Sequence, residues 1–247
     1  MTLSNKMNFQ KTMGFKVFND SLNKIPVHNK SLIINTISPN SYGISTKDSI
    51  FKNALKNSDF LVLDGVYFGL AYFLRTGKFL KKNQGPFLAN YFLKYANKNS
   101  YKVFFLGSSK NTLLKIKVKI NSYYPNINFE SYSPPFKKIF SEEDSNQMID
   151  KVNKFQPNFL FIGMTCPKQE KWSYIHKSKL KTNLILNVGA VFDWIAGNEK
   201  EISSIWWKLR LAWLKRTFDR PQLLLRYPDI FLFFRDLILV LLKIKKI

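Results

Sequence analysis

Cysteine and histidine are almost missing from the 247-residue chain. Cys166 is the only cysteine, so no disulfide can form within the chain, and nothing in the sequence requires an oxidising compartment. His28 and His176 are too few to build a zinc centre, and neither is near Cys166 in sequence. We therefore expect no catalytic thiol, and we expect Cys166 to lie at the edge of the core.

Long apolar runs are also missing. No uninterrupted apolar stretch reaches the roughly 18 residues that suggest a spanning helix, and the polar N-terminus does not resemble a signal peptide. The sequence has no DxD carboxylate pair, no glycine-rich dinucleotide fingerprint and no Walker lysine loop. These absences predict a cytoplasmic protein without a metal, a redox cofactor or an NTPase site.

Acidic residues are scarce beside basic ones. Lysine and arginine number 39 against 16 aspartates and glutamates, which gives a net charge of +23. This charge favours an anionic partner, which could be a nucleic acid, an anionic lipid or a phosphorylated substrate. The lysines are spread along the whole chain, and no nucleic-acid-binding signature accompanies them. We therefore expect no nucleic-acid partner, although a basic nucleic-acid binder remains an alternative.

Short apolar runs alternate with amphipathic segments of helical length. The predicted strands are 31–35, 60–64, 101–106, 127–131, 158–163 and 183–188, and the predicted helices are 46–57, 66–75, 86–97, 110–123, 142–155 and 167–179. This alternation predicts an α/β fold with a doubly wound, mainly parallel, Rossmann-like sheet. In such sheets, ligands bind beyond the carboxyl ends of the strands.

Polar loops follow several of these strands. Residues 36–40 follow the first predicted strand as a proline-containing loop, and Asp64 ends the second. Asp64 could act as a general base if burial raises its pKa, or it could cap the helix that follows. Residues 163–169 join a strand to a helix that we expect to begin at Pro167. They form either a phosphate site, with Lys168 and Gln169 beside the helix start, or an ordinary junction.

The C-terminal part differs from the rest. Five of the six arginines lie beyond residue 209, close to tryptophans, and residues 229–242 are strongly apolar with basic flanks. This pattern favours a helix in the membrane interface, while a helix packed on the domain or on a second subunit is the alternative. We predict an α/β catalytic domain over residues 1–200 and a helical, basic, membrane-associating appendage over residues 201–247.

Six stretches together resemble the WecG/TagA/CpsF glycosyltransferases (glycosyltransferase family 26). They are Asn-Thr-Ile-Ser-Pro-Asn-Ser-Tyr at 35–42, Leu-Asp-Gly at 63–65, Phe-Phe-Leu-Gly-Ser-Ser at 104–109, Ser-Tyr-Ser-Pro-Pro-Phe-Lys at 131–137, residues 163–172, and Val-Gly-Ala-Val-Phe-Asp at 188–193. The order and spacing agree from about residue 31 to residue 227. The Pro-Lys-Gln-Glu-Lys-Trp and Gly-Ala-Val-Phe-Asp blocks are the most specific.

The resemblance implies an inverting, metal-independent enzyme without a cofactor, at the inner face of the cell membrane. Its donor would be a UDP-N-acetylhexosamine of the N-acetylmannosamine type. Its acceptor would be a sugar on undecaprenyl diphosphate, in cell-wall or extracellular polysaccharide synthesis. Asp64 would deprotonate the acceptor hydroxyl, Thr36 and Gln169 would lie at the sugar, and Asp193 at the nucleoside. Arg216 and Arg226 would hold the acceptor diphosphate. The predicted substrate-binding residues are Thr36, Ser38, Asn40, Lys82, Gly107, Gly163, Gln169, Asp193, Arg216 and Arg226.

The chain departs from the family pattern at several positions. Ser38 stands in place of an asparagine, Asn40 in place of a frequent histidine, and Lys82 in place of an arginine. Pro86-Phe87 lacks an aspartate, Leu223 replaces an arginine and Arg220 a glutamate. These departures keep a second function open, namely a catalytically silent subunit that binds a sugar nucleotide or a lipid carrier. The sequence also leaves the oligomeric state open, including a homo-oligomer.

Overall fold

The computed structural model describes residues 7–27, 31–81, 83, 85–198, 206 and 212–246, with only the backbone described at 212, 213 and 216. The strands are β1 (Phe9–Thr12), β2 (Phe15–Phe18), β3 (Leu32–Ile37), β4 (Phe60–Leu63), β5 (Lys102–Gly107), β6 (Asn128–Tyr132), β7 (Phe159–Gly163) and β8 (Leu184–Asn187). The α-helices are α1 (Pro39–Lys47), α2 (Ser49–Lys56), α3 (Tyr67–Thr76), α4 (Gly85–Lys98), α5 (Lys110–Tyr123), α6 (Glu142–Phe155), α7 (Lys168–His176), α8 (Val191–Ala196), α9 (Ala212–Asp219) and the C-terminal helix α10 (Tyr227–Leu241). Short 3₁₀ helices cover Leu22–Lys24, Lys177–Lys179 and Pro221–Arg226.

Six strands form one parallel sheet in the order β4-β3-β8-β7-β5-β6. All six strands predicted from the sequence are present, and the predicted doubly wound fold is confirmed. The four central strands are apolar on both faces because helices cover both faces, as in other parallel sheets.

Helices pack on the sheet from two sides. Phe105 of β5 lies with its ring 4.9 Å from that of Phe192 in α8, in a core cluster that also includes α4 and α5. The neighbouring Phe104 points to the opposite face, where it shares a cluster with Met148 of α6 and Trp172 of α7. This alternation is the two-residue period of a strand buried on both sides.

Three regions differ from the sequence prediction. Residues 9–18 form a β-hairpin that was not predicted, the predicted loop after β3 is instead the helix α1, and the short helix α8 after β8 was not predicted either. Ser38 starts α1 with a capping box: it accepts a hydrogen bond from the Ser41 N–H, while the Ser41 side chain caps the Ser38 N–H. Pro39 occupies the first turn, where its missing N–H costs no hydrogen bond.

The C-terminal helix packs on α1 and α3. The Phe233 ring is stacked on Phe68 at 5.2 Å, and the Tyr42 hydroxyl donates to the buried Asp236 carboxylate at 2.9 Å. Burial alone would raise the pKa of Asp236, but hydrogen bonds from Lys245, Arg235 and Tyr42 outweigh it and lower that pKa. The packed-helix interpretation therefore holds for one face of this helix. The predicted boundary at residue 200 lies outside the described residues, so the two-part division stays a prediction.

Candidate active site

The carboxyl ends of the sheet strands bring most of the predicted site segments to one edge. Thr36 on β3 is paired with Val62 on β4, and the Asp64 N–H donates to the Ile37 carbonyl at 2.8 Å. On the other side of β8, Gly107 at the end of β5 is paired with Gly163 at the end of β7. The residues predicted from separate loops therefore share a rim formed by five neighbouring strands.

Asp64 is exposed at this rim. The predicted partial burial of its carboxylate is therefore not found. Asp64 does not occupy the N-cap position of the following helix, because α3 begins at Tyr67 and Val66 holds that position. An exposed carboxylate directly after the edge strand β4 is accessible to a substrate hydroxyl.

Ser38 and Asn40 have different surroundings. The Ser38 hydroxyl is used in the capping box of α1, which explains this residue by local structure. The Oδ1 atom of Asn40 is buried without a hydrogen-bond partner among the described residues. An unpaired buried oxygen at the start of a helix is an acceptor that a ligand could use.

Gly107 and Gly163 are required by close packing. A Cβ on Gly107, which has φ +118°, would collide with the Gly163 carbonyl, and a Cβ on Gly163 would enter the Phe192 ring. Both positions therefore exclude any larger residue. Their predicted role in binding is limited to backbone groups.

Gln169 and Glu170 form a buried pair in the first turn of α7. Only 3% of Gln169 and 2% of Glu170 is exposed. The Gln169 Oε1 accepts from the Met164 N–H at 3.2 Å, and its Nε2 donates to Glu170 Oε1 at 2.8 Å. Burial raises the pKa of Glu170 to about 7, although the hydrogen bond from Gln169 lowers it in part.

Sequence reasoning did not select Glu170 as a site residue. The sequence carries no clear signal for it, because the burial of Glu170, and of Ser173 one helical turn later on the same face of α7, is visible only in the structure. Ser173 in turn accepts a hydrogen bond from Asn187 at the end of β8. The face of α7 toward the sheet is therefore polar near the rim.

The turn between β7 and α7 differs from the prediction in two respects. Pro167 occupies the N-cap position after a cis peptide bond, and α7 begins at Lys168. The Lys168 ammonium donates to the Lys137 carbonyl at 2.8 Å and lies 4.5 Å from the Phe140 ring centre, so it is already engaged. Burial raises the pKa of the Cys166 thiol well above its usual value, in agreement with a core-edge residue rather than a nucleophile.

The remaining predicted residues are only partly described. Asp193 lies in the first turn of α8 and accepts from the Asn198 amide at 3.3 Å. Arg226 is exposed just before the C-terminal helix, and its positive charge counteracts part of the rise in the Cys166 pKa. Lys82 and the Arg216 side chain lie outside the described residues.

Within the part of the chain that the structure describes, no three His, Cys, Asp or Glu side chains lie close enough to hold a metal ion. None of the helices described there is long and apolar enough to cross a bilayer.

The fold and the rim define a doubly wound α/β protein with polar and glycine-bearing turns at the carboxyl ends of its strands, where this class binds nucleotides. Over residues 8–246 the sequence matches the WecG/TagA/CpsF family of glycosyl transferases, and the chain belongs to this family. The family assignment made from the sequence is thus confirmed, and the protein is a glycosyltransferase.

Two relatives are proteins of Staphylococcus aureus, from strains NCTC 8325 / PS 47 and MRSA252. Both are named N-acetylglucosaminyldiphosphoundecaprenol N-acetyl-beta-D-mannosaminyltransferase. Each is 24% identical to this chain over 216 residues, which is 87% of this chain and 83% of the relative.

Proposed function

We propose that this protein transfers an N-acetylmannosamine-type sugar from a UDP donor to N-acetylglucosamine on undecaprenyl diphosphate, with inversion at the anomeric carbon. The product would serve the synthesis of a cell-wall or extracellular polysaccharide. The observation that carries the proposal is the family match over almost the whole chain. The names of the relatives supply the sugar and the carrier.

Asp64 is the proposed general base. Its carboxylate would take the proton of the acceptor hydroxyl while that oxygen forms a bond to the anomeric carbon of the donor. The bond from the same carbon to the UDP oxygen breaks, and UDP leaves with its electron pair. The exposure of Asp64 at the rim supports this role because the acceptor must reach the carboxylate.

Protein cations are the proposed stabilisers of the two diphosphates. Lys82 would neutralise charge on the departing UDP, and Arg216 and Arg226 would hold the acceptor. Cys166 in the β7–α7 turn packs against the cluster that contains Phe233 of the C-terminal helix, and this contact supports the assignment because the C-terminal segment then reaches the rim. Asp193 at the nucleoside, and Thr36 with Gln169 at the sugar, complete the proposed site.

We further propose that the C-terminal segment binds the inner face of the membrane. Its helix buries Phe233 and Leu237 against the domain but leaves 67% of Phe231 and 63% of the following Leu242 exposed. Lys243, Lys245 and Lys246 follow directly. Exposed apolar side chains with basic flanks suit an interface of anionic lipid.

The test is transfer from UDP-N-acetylmannosamine to a short-chain polyprenyl-diphosphate N-acetylglucosamine, with detection of the lipid-linked disaccharide. We expect Asp64→Asn to lower kcat about 10²–10⁴-fold with little change in donor KM, as for loss of a general base. Asp150→Asn, at an exposed position on α6, is the matched control and should resemble wild type.

Equal rates for Asp64→Asn and wild type would remove the base assignment. Donor binding by wild type without transfer to any lipid-linked sugar would favour the silent binding subunit. A protein that binds no uridine nucleotide would contradict both functions.

A further inference from the structure

The Gln169 amide is held in one orientation by its two neighbours. The Met164 backbone N–H can only donate, so it must face the amide oxygen, as it does at 3.2 Å. The amide nitrogen then faces Glu170, which accepts at 2.8 Å. If the amide turned over, its NH₂ group would meet the Met164 N–H and both donors would lose their acceptors.

This amide also lies beside the turn that follows β8. A Cβ built on Gly189, directly after β8, would lie 3.5 Å from Gln169 Nε2 and 3.6 Å from its Oε1. The amide therefore lies between the turns that follow β7 and β8, in the middle of the rim. Among the described residues, its second N–H bonds to no acceptor, so it can donate to a ligand.

Glu170 is an unusual residue to find behind this amide. Its Oε2 atom is fully buried and has no hydrogen-bond partner among the described residues. A hydrophobic side chain of similar size would avoid this unsatisfied group, so packing alone does not account for a carboxyl here. What the carboxyl provides is the acceptor that fixes the orientation of the Gln169 amide.

We infer that Glu170 is a positioning residue for the donor sugar: it acts through Gln169, whose free amide N–H it directs toward the donor. The inference rests on the proposed function, because it takes Gln169 as part of the donor site. Glu170 itself is buried and does not touch the donor.

The experiment measures the affinity for UDP-N-acetylmannosamine by calorimetry, together with KM and kcat, in wild type and three variants. Glu170→Met keeps the side-chain size but removes the acceptor, and we expect about tenfold weaker donor binding with kcat nearly unchanged. Glu170→Gln keeps a carbonyl oxygen in place and should restore donor affinity to within about threefold of wild type. Glu142→Met, at an exposed position on α6, is the control for a general effect of the substitution.

A double-mutant cycle with Gln169→Ala tests whether Glu170 acts through Gln169. In the Gln169→Ala background, Glu170→Met should cause no further loss of donor affinity. Wild-type affinity in Glu170→Met, or an equal loss in both backgrounds, would overturn the inference.

Two other outcomes are also decisive. If Glu170→Met does not fold, as judged by circular dichroism, Glu170→Asp takes its place, since it keeps the charge but shortens the reach by one methylene group. Wild-type donor affinity in that folded variant would overturn the inference. Absence of donor binding by wild type would overturn the proposed function together with this inference, whereas donor binding that is insensitive to Glu170 would overturn the inference alone.

Discussion

Removal of the Glu170 charge should make the protein more stable at neutral and alkaline pH. The pKa of this side chain is raised by burial from 4.5 to about 7, and in the unfolded chain it returns to the lower value. Between these values the folded protein keeps a proton that the unfolded chain has released. The contribution of Glu170 to the stability of wild type therefore falls as the pH rises through this window, and its full loss is about 3 kcal/mol above pH 7.

Glu170→Gln carries no titrating group, so it should escape this loss. We expect its free energy of unfolding, relative to wild type, to rise by about 3 kcal/mol between about pH 4.5 and pH 8. Urea unfolding followed by tryptophan fluorescence measures this difference, and Trp172 lies on the same helix.

Other groups near Glu170 also have shifted pKa values. Their effects on stability do not enter the difference between Glu170→Gln and wild type. Burial lowers the pKa of His176, so its contribution to stability has the opposite sign. That contribution rises as the pH rises from the folded pKa of His176 to its unfolded pKa. The raised pKa of Cys166 lies above the window, and the lowered pKa of Asp48 lies below it. All three groups are present in both proteins and cancel in the difference. Parallel stability curves for the two proteins from pH 5 to pH 8 would refute the reasoning.

Two further predictions concern the C-terminal helix. Gly43→Ala should destabilise the protein by about 1–3 kcal/mol in urea unfolding, because its Cβ would collide with the backbone at the start of this helix. Gly69→Ala is the control, because the atom nearest to its added Cβ would be 3.5 Å away, and it should stabilise the protein by up to about 1 kcal/mol through helix propensity. A gain of stability in both variants would contradict the close approach of Gly43 to the C-terminal helix. Replacement of the exposed Phe231 and Leu242 by serine should reduce binding to anionic vesicles without lowering the melting temperature. Unchanged vesicle binding in that folded variant would count against the membrane contact.

The parallel sheet was predictable from the sequence because its strands are covered on both faces. Continuous apolar runs such as Phe159–Gly163 carry that signal, and each is followed by a helix of ordinary length. The hairpin at residues 9–18 was missed because Met13, not asparagine or aspartate, occupies the first turn position with φ 49°. The start of α1 was missed because its capping box uses Ser41 where glutamate or glutamine is usual.

The meeting of the predicted site segments at one rim was also predictable, but the local contacts of their residues were not. Position at a strand end identifies the rim, whereas burial and hydrogen-bond partners depend on contacts between distant segments. Lys168 illustrates the difference: beside a helix start it suggested a phosphate ligand, but a carbonyl 31 residues away in sequence accepts from its ammonium. Ser38 likewise belongs to the cap of α1.

Gln169 shows why these contacts matter for function. From the sequence it was expected to bind a sugar or a phosphate, but nothing in the sequence predicted how its amide would be oriented. In the structure the amide oxygen is bound to Met164 and one N–H to Glu170, so the direction of the remaining N–H is fixed before any ligand arrives. A group oriented in advance loses little conformational entropy on binding, so its hydrogen bond contributes more to affinity and discriminates more sharply by position. A donor whose oxygen is misplaced would leave that N–H unpaired, and specificity at this point therefore depends as much on the buried Glu170 as on Gln169 itself.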